Sequence, residues 1–187
     1  TGYRSTLNPL IIASGPNSSL PHAQVTKRKF TNGDMITIDL TLRYKGYVSD
    51  ATRTFGLGSI SKEAITVYEI VKESQKAGLK AVKPGKTCGS VDDACRKIIT
   101  EYNYGTHFIH STGHGIGLDV HENPNISGKN KEKLKKNMAI TVEPGIYIPK
   151  KFGVRIEDSL IVKSRADVMH KFTKDLIIIW KHFWLSW

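Results

Sequence analysis

Two segments, residues 35–43 and 47–55, alternate apolar and polar side chains with the period of two expected of strands, and Lys45-Gly46 lies between them as a hairpin tip. A two-residue turn there pairs Tyr44 with Tyr47, so paired positions sum to 91 throughout the hairpin. Asp39 then faces Thr52, and Asp50 faces Thr41. Paired residues share a face and neighbours along a strand do not, which puts Asp39 and Asp50 on one face as diagonal neighbours. Two carboxylates so placed repel each other unless a cation sits between them. Ile38 and Leu40 fall on the opposite face, and the pattern alone does not say which face meets water.

A second strand pair, near 138–148 and 153–163, repeats the device with Glu143 and Glu157. In the latter strand Arg155, Glu157 and Ser159 share one face, while Val154 and Ile156 share the other. Arg155 is therefore placed to orient Glu157 or to hold a substrate carboxylate. Two strand pairs, each carrying two acids, predict a pseudo-twofold domain with its site between the halves.

Between the pairs lies His110-Ser111-Thr112-Gly113-His114-Gly115-Ile116-Gly117-Leu118-Asp119-Val120-His121-Glu122. It holds three histidines among glycines that allow close approach of backbone to a ligand. His22, in Leu20-Pro21-His22-Ala23, is a further candidate for substrate contact. Asp39, Asp50, His114, Glu143 and Glu157 each stand in an apolar or glycine-rich stretch, where an ionisable group is costly without a partner. Four carboxylates and one imidazole suit Mn, Co, Zn or Fe better than a thiolate-seeking metal. If the five converge, they can hold two ions that activate one water.

The rest of the pattern supplies the frame. Residues 8–14 read as a short buried strand. Ser61 caps a helix from about 62 to 82, which Pro84-Gly85 ends, and Ser90 starts a second helix reaching about Tyr102. A lysine-rich helix is expected near 129–136 and a last strand near 175–180. Paired strands with flanking helices, without strict βαβ alternation, predict an α+β fold on a mostly antiparallel sheet. Lys181 to Trp187 suggest no role.

A net charge of +11 is concentrated in that lysine run, which has no interleaved aromatics and so reads as a solvated face, with no nucleic-acid partner expected. The apolar stretch Leu176–Trp180 is too short to span a bilayer, so no membrane partner is expected. Cys88 and Cys95 lack partners at metal-ligand spacing and read as small buried residues, which fits a reducing, cytoplasmic address.

Ala13-Ser14-Gly15-Pro16-Asn17 to Ala23, Ile38-Asp39-Leu40, Ser49-Asp50-Ala51-Thr52-Arg53-Thr54, Gly113-His114-Gly115-Ile116-Gly117, Val142-Glu143-Pro144-Gly145 and Arg155-Ile156-Glu157-Asp158 together resemble the pita-bread metallopeptidases. Within that superfamily the chain is similar to prolidases and aminopeptidases P, over about residues 8 to 180. The resemblance implies the pita-bread fold, a curved mostly antiparallel sheet with flanking helices. It also implies a single catalytic domain over 1–187 that lacks the family's N-terminal domain. It assigns Asp39 to one of two divalent ions, with Mn or Co first and Zn or Fe also accepted, and Asp50 and Glu157 to both. His114 and Glu143 would complete the other ion, with Glu143 moving the proton of a metal-bridged hydroxide. His22, His110 and His121 match positions that hold the scissile amide and stabilise the oxyanion, and Arg155 matches an arginine of this branch. The implied partners are short proline-containing peptides cleaved at Xaa-Pro bonds, with a homodimer as the implied assembly. A departure is Asn125, where many prolidases carry arginine.

Two alternatives share the fold. A methionine aminopeptidase would use the same five ligands, but His110 four residues before His114, together with Arg155, favours the proline-directed branch. A non-catalytic binding module would normally have lost a ligand, and creatine-type amidinohydrolysis on this fold uses no metal; this chain keeps all five.

Overall fold

The computed structural model describes residues 3–5 and 10–180. In chain order the strands are β1 (Tyr3–Ser5), β2 (Ile11–Ser14), β3 (Met35–Tyr44) and β4 (Tyr47–Leu57). Helices α1 (Lys62–Ala81) and α2 (Cys88–Glu101) follow. The second half holds β5 (Gly113–Gly115), β6 (Glu122–Ile126), β7 (Ala139–Val142), β8 (Gly145–Ile148), β9 (Phe152–Arg155), β10 (Asp158–Val162), β11 (Ala166–Val168) and β12 (Ile178–Ile179). One sheet runs β1-β3-β4-β12 with β2 also on β3, a second runs β11-β10-β7-β5-β6, and β8 and β9 form a ribbon. All the pairings but that of β12 with β4 are antiparallel, as an α+β domain on curled antiparallel sheets requires.

The first hairpin has the expected register from Tyr44↔Tyr47 through Asp39↔Thr52 to Met35↔Gly56. Lys45 (φ 49°) and Gly46 (φ 91°) both take left-handed backbone, the geometry of a two-residue turn that follows the strand twist. The second pair keeps its register but breaks. Paired positions sum to 300 in both β7–β10 and β8–β9, so the gap between the two ladders sets Glu143 opposite Glu157. Pro144 lies in that gap and has no N–H to donate to a ladder. The two long strands expected there are thus four short ones, with the acids at the interruption.

Helix α1 has the expected start, its Ser61 hydroxyl accepting from the Ala64 N–H at 3.1 Å. Helix α2 begins earlier than expected. Thr87, not Ser90, is its cap, and its hydroxyl accepts from the Ser90 N–H, while the Ser90 hydroxyl bonds back to the Thr87 carbonyl at 2.7 Å. The lysine-rich segment 129–136 is extended rather than helical. Its Glu132 and Asn130 carbonyls accept the Cys88 and Gly89 N–H groups, and Leu134 exchanges bonds with Gly85 and Lys86. These carbonyls satisfy donors that the first turn of a helix leaves without intrahelical partners. Leu134 is buried and its lysine neighbours are exposed, so the solvated face expected of this run is observed on a different backbone. The strand expected over 175–180 contracts to β12, and residues 8–9 and 181–187 lie outside the described residues.

The core lies between the two helices and the inner faces of β7, β9 and β10, with Val67, Val71, Val91, Ile99, Ile140, Val142, Val154, Ile156 and Leu160 inaccessible to solvent. Cys88 and Cys95 are free and buried within it. The helices cross closely at Gly78, where a Cβ would come within 2.4 Å of Cys95 Sγ and 2.9 Å of Val142 Cγ1.

Candidate metal centre

The orientation of the first hairpin inverts ordinary amphipathicity. Leu40 and Leu42 are 38% and 40% exposed, while Asp50 on the other face is 6% exposed. The acid face is pressed against the second strand pair, where the Ser159 hydroxyl donates to the Asp50 carbonyl at 2.8 Å. All nine residues singled out by sequence line a single cleft of about 670 Å³: Asp39, Asp50, His114, Glu143, Glu157, His22, His110, His121 and Arg155.

At its floor, Asp50, His114 and Glu157 offer one ligand atom each, all within 4.8 Å of one another. His114 Nε2 lies 3.3 Å from Glu143 Oε1 and 3.9 Å from Asp50 Oδ2. Its Nδ1 lies 2.9 Å from the Gly115 carbonyl, so Nδ1 carries a proton and Nε2 is the nitrogen turned to the acids, a donor to Glu143 in the protonated ring and a lone pair for a cation in the neutral one. Each acid is held by a threonine or arginine. Thr41 donates to Asp50 (3.0 Å), Thr52 to Glu157 (2.7 Å) and Thr141 to Glu143 (3.2 Å), while Arg155 Nη2 donates to Asp39 Oδ2 at 2.8 Å. Asp39 Oδ1 is the one buried side-chain polar atom among the described residues with no hydrogen-bond partner.

A family model for metallopeptidase family M24 matches residues 1–164. The chain belongs to metallopeptidase family M24. The Xaa-Pro dipeptidase of Pyrococcus furiosus is 48% identical over 168 residues, covering 89% of this chain and 48% of the relative. Among solved structures, a recombinant prolidase from Thermococcus sibiricus superposes with a TM-score of 0.89 at 46% identity, covering 91% of this chain and 47% of that one. The X-Pro aminopeptidase of Thermotoga maritima superposes at 0.88 and 40% identity, with coverage of 91% and 49%. The M24 chain spans about half the length of the curated relatives it matches.

The electrostatics of this M24 site fit a divalent cation. Burial, followed by repulsion from Asp39 and Glu143, pushes the Asp50 carboxyl up to about 7. Burial and the charges of Glu143, Asp50 and Asp39 push Glu157 well above the carboxylate range. Burial opposes charge on His114, but hydrogen bonding and attraction from Glu143, with Asp50 behind, hold its pKa above the ordinary imidazole value. Four crowded acids face one arginine and one histidine, so they cannot all ionise unless more positive charge enters. The unpartnered Asp39 oxygen points to the same deficit.

Two buried residues that hold side chains of the M24 cleft escaped the sequence pattern. Tyr147 is buried, and its hydroxyl meets both Arg155 Nη1 (2.9 Å) and His110 Nε2 (2.8 Å). Because His110 Nδ1 lies 2.7 Å from the Ser111 carbonyl, that nitrogen is the protonated one and Nε2 accepts from Tyr147. Both ring nitrogens of His110 are therefore engaged, and it offers the cleft a ring edge, whereas His22 and His121 are exposed to it. Tyr147 sits in the wholly buried run Gly145–Ile148, where no alternation marks it out. Thr52 is the other: fully buried, it donates to Glu157 and accepts from Arg155 Nε at 3.1 Å.

No helix among the described residues is long and apolar enough to cross a membrane.

Proposed function

We propose that this chain is the catalytic domain of a metal-dependent peptidase that hydrolyses Xaa-Pro bonds in dipeptides and short peptides. The observation that carries the proposal is the convergence of four acids and His114 in one cleft, with Asp39 Oδ1 buried and unpartnered. Asp39, Asp50, His114, Glu143 and Glu157 would hold two divalent ions, Mn or Co before Zn or Fe. Bound there, such ions would lower the pKa of water towards neutrality and polarise the scissile carbonyl.

The chain's own groups supply the remaining steps. Glu143, with its carboxylate 3.3 Å from His114 Nε2, accepts the proton released as water attacks and passes it to the leaving proline nitrogen. His22 and His121, exposed in the same cleft, would donate to the oxygen that becomes negative in the tetrahedral intermediate. Arg155 keeps Asp39 oriented and, through Tyr147, fixes the His110 ring as a wall of the cleft. A site that does not depend on an N–H at the scissile bond admits proline, which lacks one. Asn125 lines the same cleft and offers a neutral amide to the substrate's far end.

Hydrolysis of Met-Pro, of an Xaa-Pro-Xaa tripeptide and of Met-Ala-Ser by metal-stripped protein supplemented with Mn or Co tests the reading. Cleavage of a proline substrate is expected, and Glu143→Ala should abolish it. Cleavage of Met-Ala-Ser alone would move the chain to the methionine aminopeptidases. Inactivity on all three without metal uptake would favour a binding module.

A further inference from the structure

Glu157 occupies an unusual backbone position for a residue on which so much depends. It lies in the gap between β9 and β10, where neither strand ladder reaches it. Its N–H goes to the Thr52 carbonyl at 3.1 Å, and its carboxylate accepts from the Thr52 hydroxyl. Its own carbonyl accepts from Arg53 Nη1 at 2.5 Å. Every one of these anchors comes from β4, the strand that carries Asp50.

Arg53 points away from the cleft, on the face of β4 opposite Asp50 and Thr52, and is 7% exposed. Its five N–H groups meet five acceptors. Nη1 serves the Thr52 carbonyl (2.8 Å) and the Glu157 carbonyl, and Nε serves the Thr173 carbonyl (3.0 Å). Nη2 serves Asp158 Oδ1 (2.7 Å) and the Phe172 carbonyl (3.3 Å). That set uses the whole donor capacity of a guanidinium. Asp158, wholly buried, balances the charge, and its other oxygen accepts from Lys174 Nζ (2.5 Å) and Gln75 Nε2 (2.9 Å). The side chain thus joins three separate pieces of chain: β4, the gap that holds Glu157, and the segment 172–174.

We infer that Arg53 is a positioning residue that sets Glu157 against Asp50 from behind the sheet, so that the two carboxylates meet at the spacing a shared cation needs. The inference rests on the metal reading proposed above. Lysine cannot replace arginine here, because one ammonium cannot reach the Glu157 carbonyl and Asp158 in the same fixed fork. Substituting a group that orients a metal ligand commonly costs on the order of 10–100-fold in metal affinity.

Calorimetric titration of metal-stripped protein with Mn2+ alone tests this. Arg53→Lys keeps a charge beside Asp158, and should weaken by roughly tenfold or more the binding step that Glu157→Gln also weakens. Combining the two substitutions should weaken that step no further than Glu157→Gln alone. Ile99→Val, in the helix core away from the cleft, supplies a destabilised control whose Mn2+ affinity should stay within about twofold of wild type. If Arg53→Lys fails to fold, Arg53→Leu with Asp158→Asn removes both members of the most buried pair, leaves Lys174 partly exposed with Gln75 Oε1 as its acceptor, and should lose the same step. Affinity within twofold of wild type in either Arg53 variant would overturn the inference, as would full additivity of Arg53→Lys with Glu157→Gln. Wild-type protein that takes up no Mn2+ would instead overturn the metal reading and this inference with it.

Discussion

The clamp on the histidine segment offers a test of how the fold holds its site. Asp92, on α2 and 1% exposed, accepts from the Thr112 N–H (3.0 Å) and the Thr112 hydroxyl (2.8 Å) through one oxygen. Its other oxygen takes Arg96 Nε at 2.6 Å, and Arg96 in turn donates to the carbonyls of Phe108 and His110. One helical turn thereby grips the chain on both sides of Ser111, and Thr112 passes the constraint on by accepting the Glu143 N–H at 2.7 Å. Asp92→Ala strands the fully buried Thr112 hydroxyl, at about 1 kcal/mol for a group that can turn, and removes one of two acceptors of the Thr112 N–H, which keeps the Ile126 carbonyl at 2.9 Å and so loses no more than about 1 kcal/mol. Arg96 adds little, because its side chain is 35% exposed and keeps its two carbonyl partners. The total of about 1–2 kcal/mol corresponds, for 187 residues, to a fall in Tm of roughly 2–8 °C. Thermal melts of metal-free protein followed by circular dichroism measure it directly. Asp92→Asn keeps an acceptor for Thr112 but turns an amide donor towards Arg96, and should fall between. Asp93→Ala, one residue along and exposed, should shift Tm by less than about 2 °C. A melting point for Asp92→Ala within 1 °C of wild type would refute the clamp.

Gly113→Ala should leave little soluble folded protein, because a Cβ there would lie 2.2 Å from the Thr141 carbonyl oxygen, a backbone atom of the neighbouring strand. Gly85→Ala, where φ is +83° but nothing lies within 4 Å, should stay folded and lose only about 1 kcal/mol in urea unfolding. Stability should also have an acid limb set by Asp158. Burial opposes its ionisation, but His170, Lys174 and Arg53 outweigh it and bring the carboxyl down to about 2, from an ordinary value of 3.8. A pKa lowered by folding contributes stability above the unfolded value and loses it as pH falls through the folded one. About 2 kcal/mol should therefore disappear between pH 4 and pH 2. Asp158→Asn should start less stable and show a shallower fall of the urea midpoint over that interval. Equal slopes in the two proteins would remove Asp158 from the account.

Local chemistry made part of this molecule readable in advance. A two-residue turn at Lys45-Gly46 leaves one register for β3 and β4, and period-two alternation then forces Asp39 and Asp50 to one face. Ser61 marks the start of α1 because its hydroxyl meets an N–H only three residues away. The five acid and histidine positions, and the motif order that relates the chain to its family, are likewise properties of the string. Where the local signal competed with distant partners, it misled. The lysine run has the composition of an exposed helix, yet the unpaired N–H groups opening α2, some 40 residues earlier, draw its carbonyls into an extended path.

Which face of the first hairpin is buried could not be read from alternation, since both faces alternate equally well. Only packing against the second strand pair decides that acids go inward and leucines outward. The gap that seats Glu157, the ring of contacts around Tyr147 and the reach of Arg53 to a carbonyl 104 residues away belong to the same class. Sequence fixed which groups could bind a cation, because that is a matter of side-chain chemistry and strand parity. Tertiary structure alone brought them within reach of one another, because burial and long-range hydrogen bonding exist only once the two halves have closed.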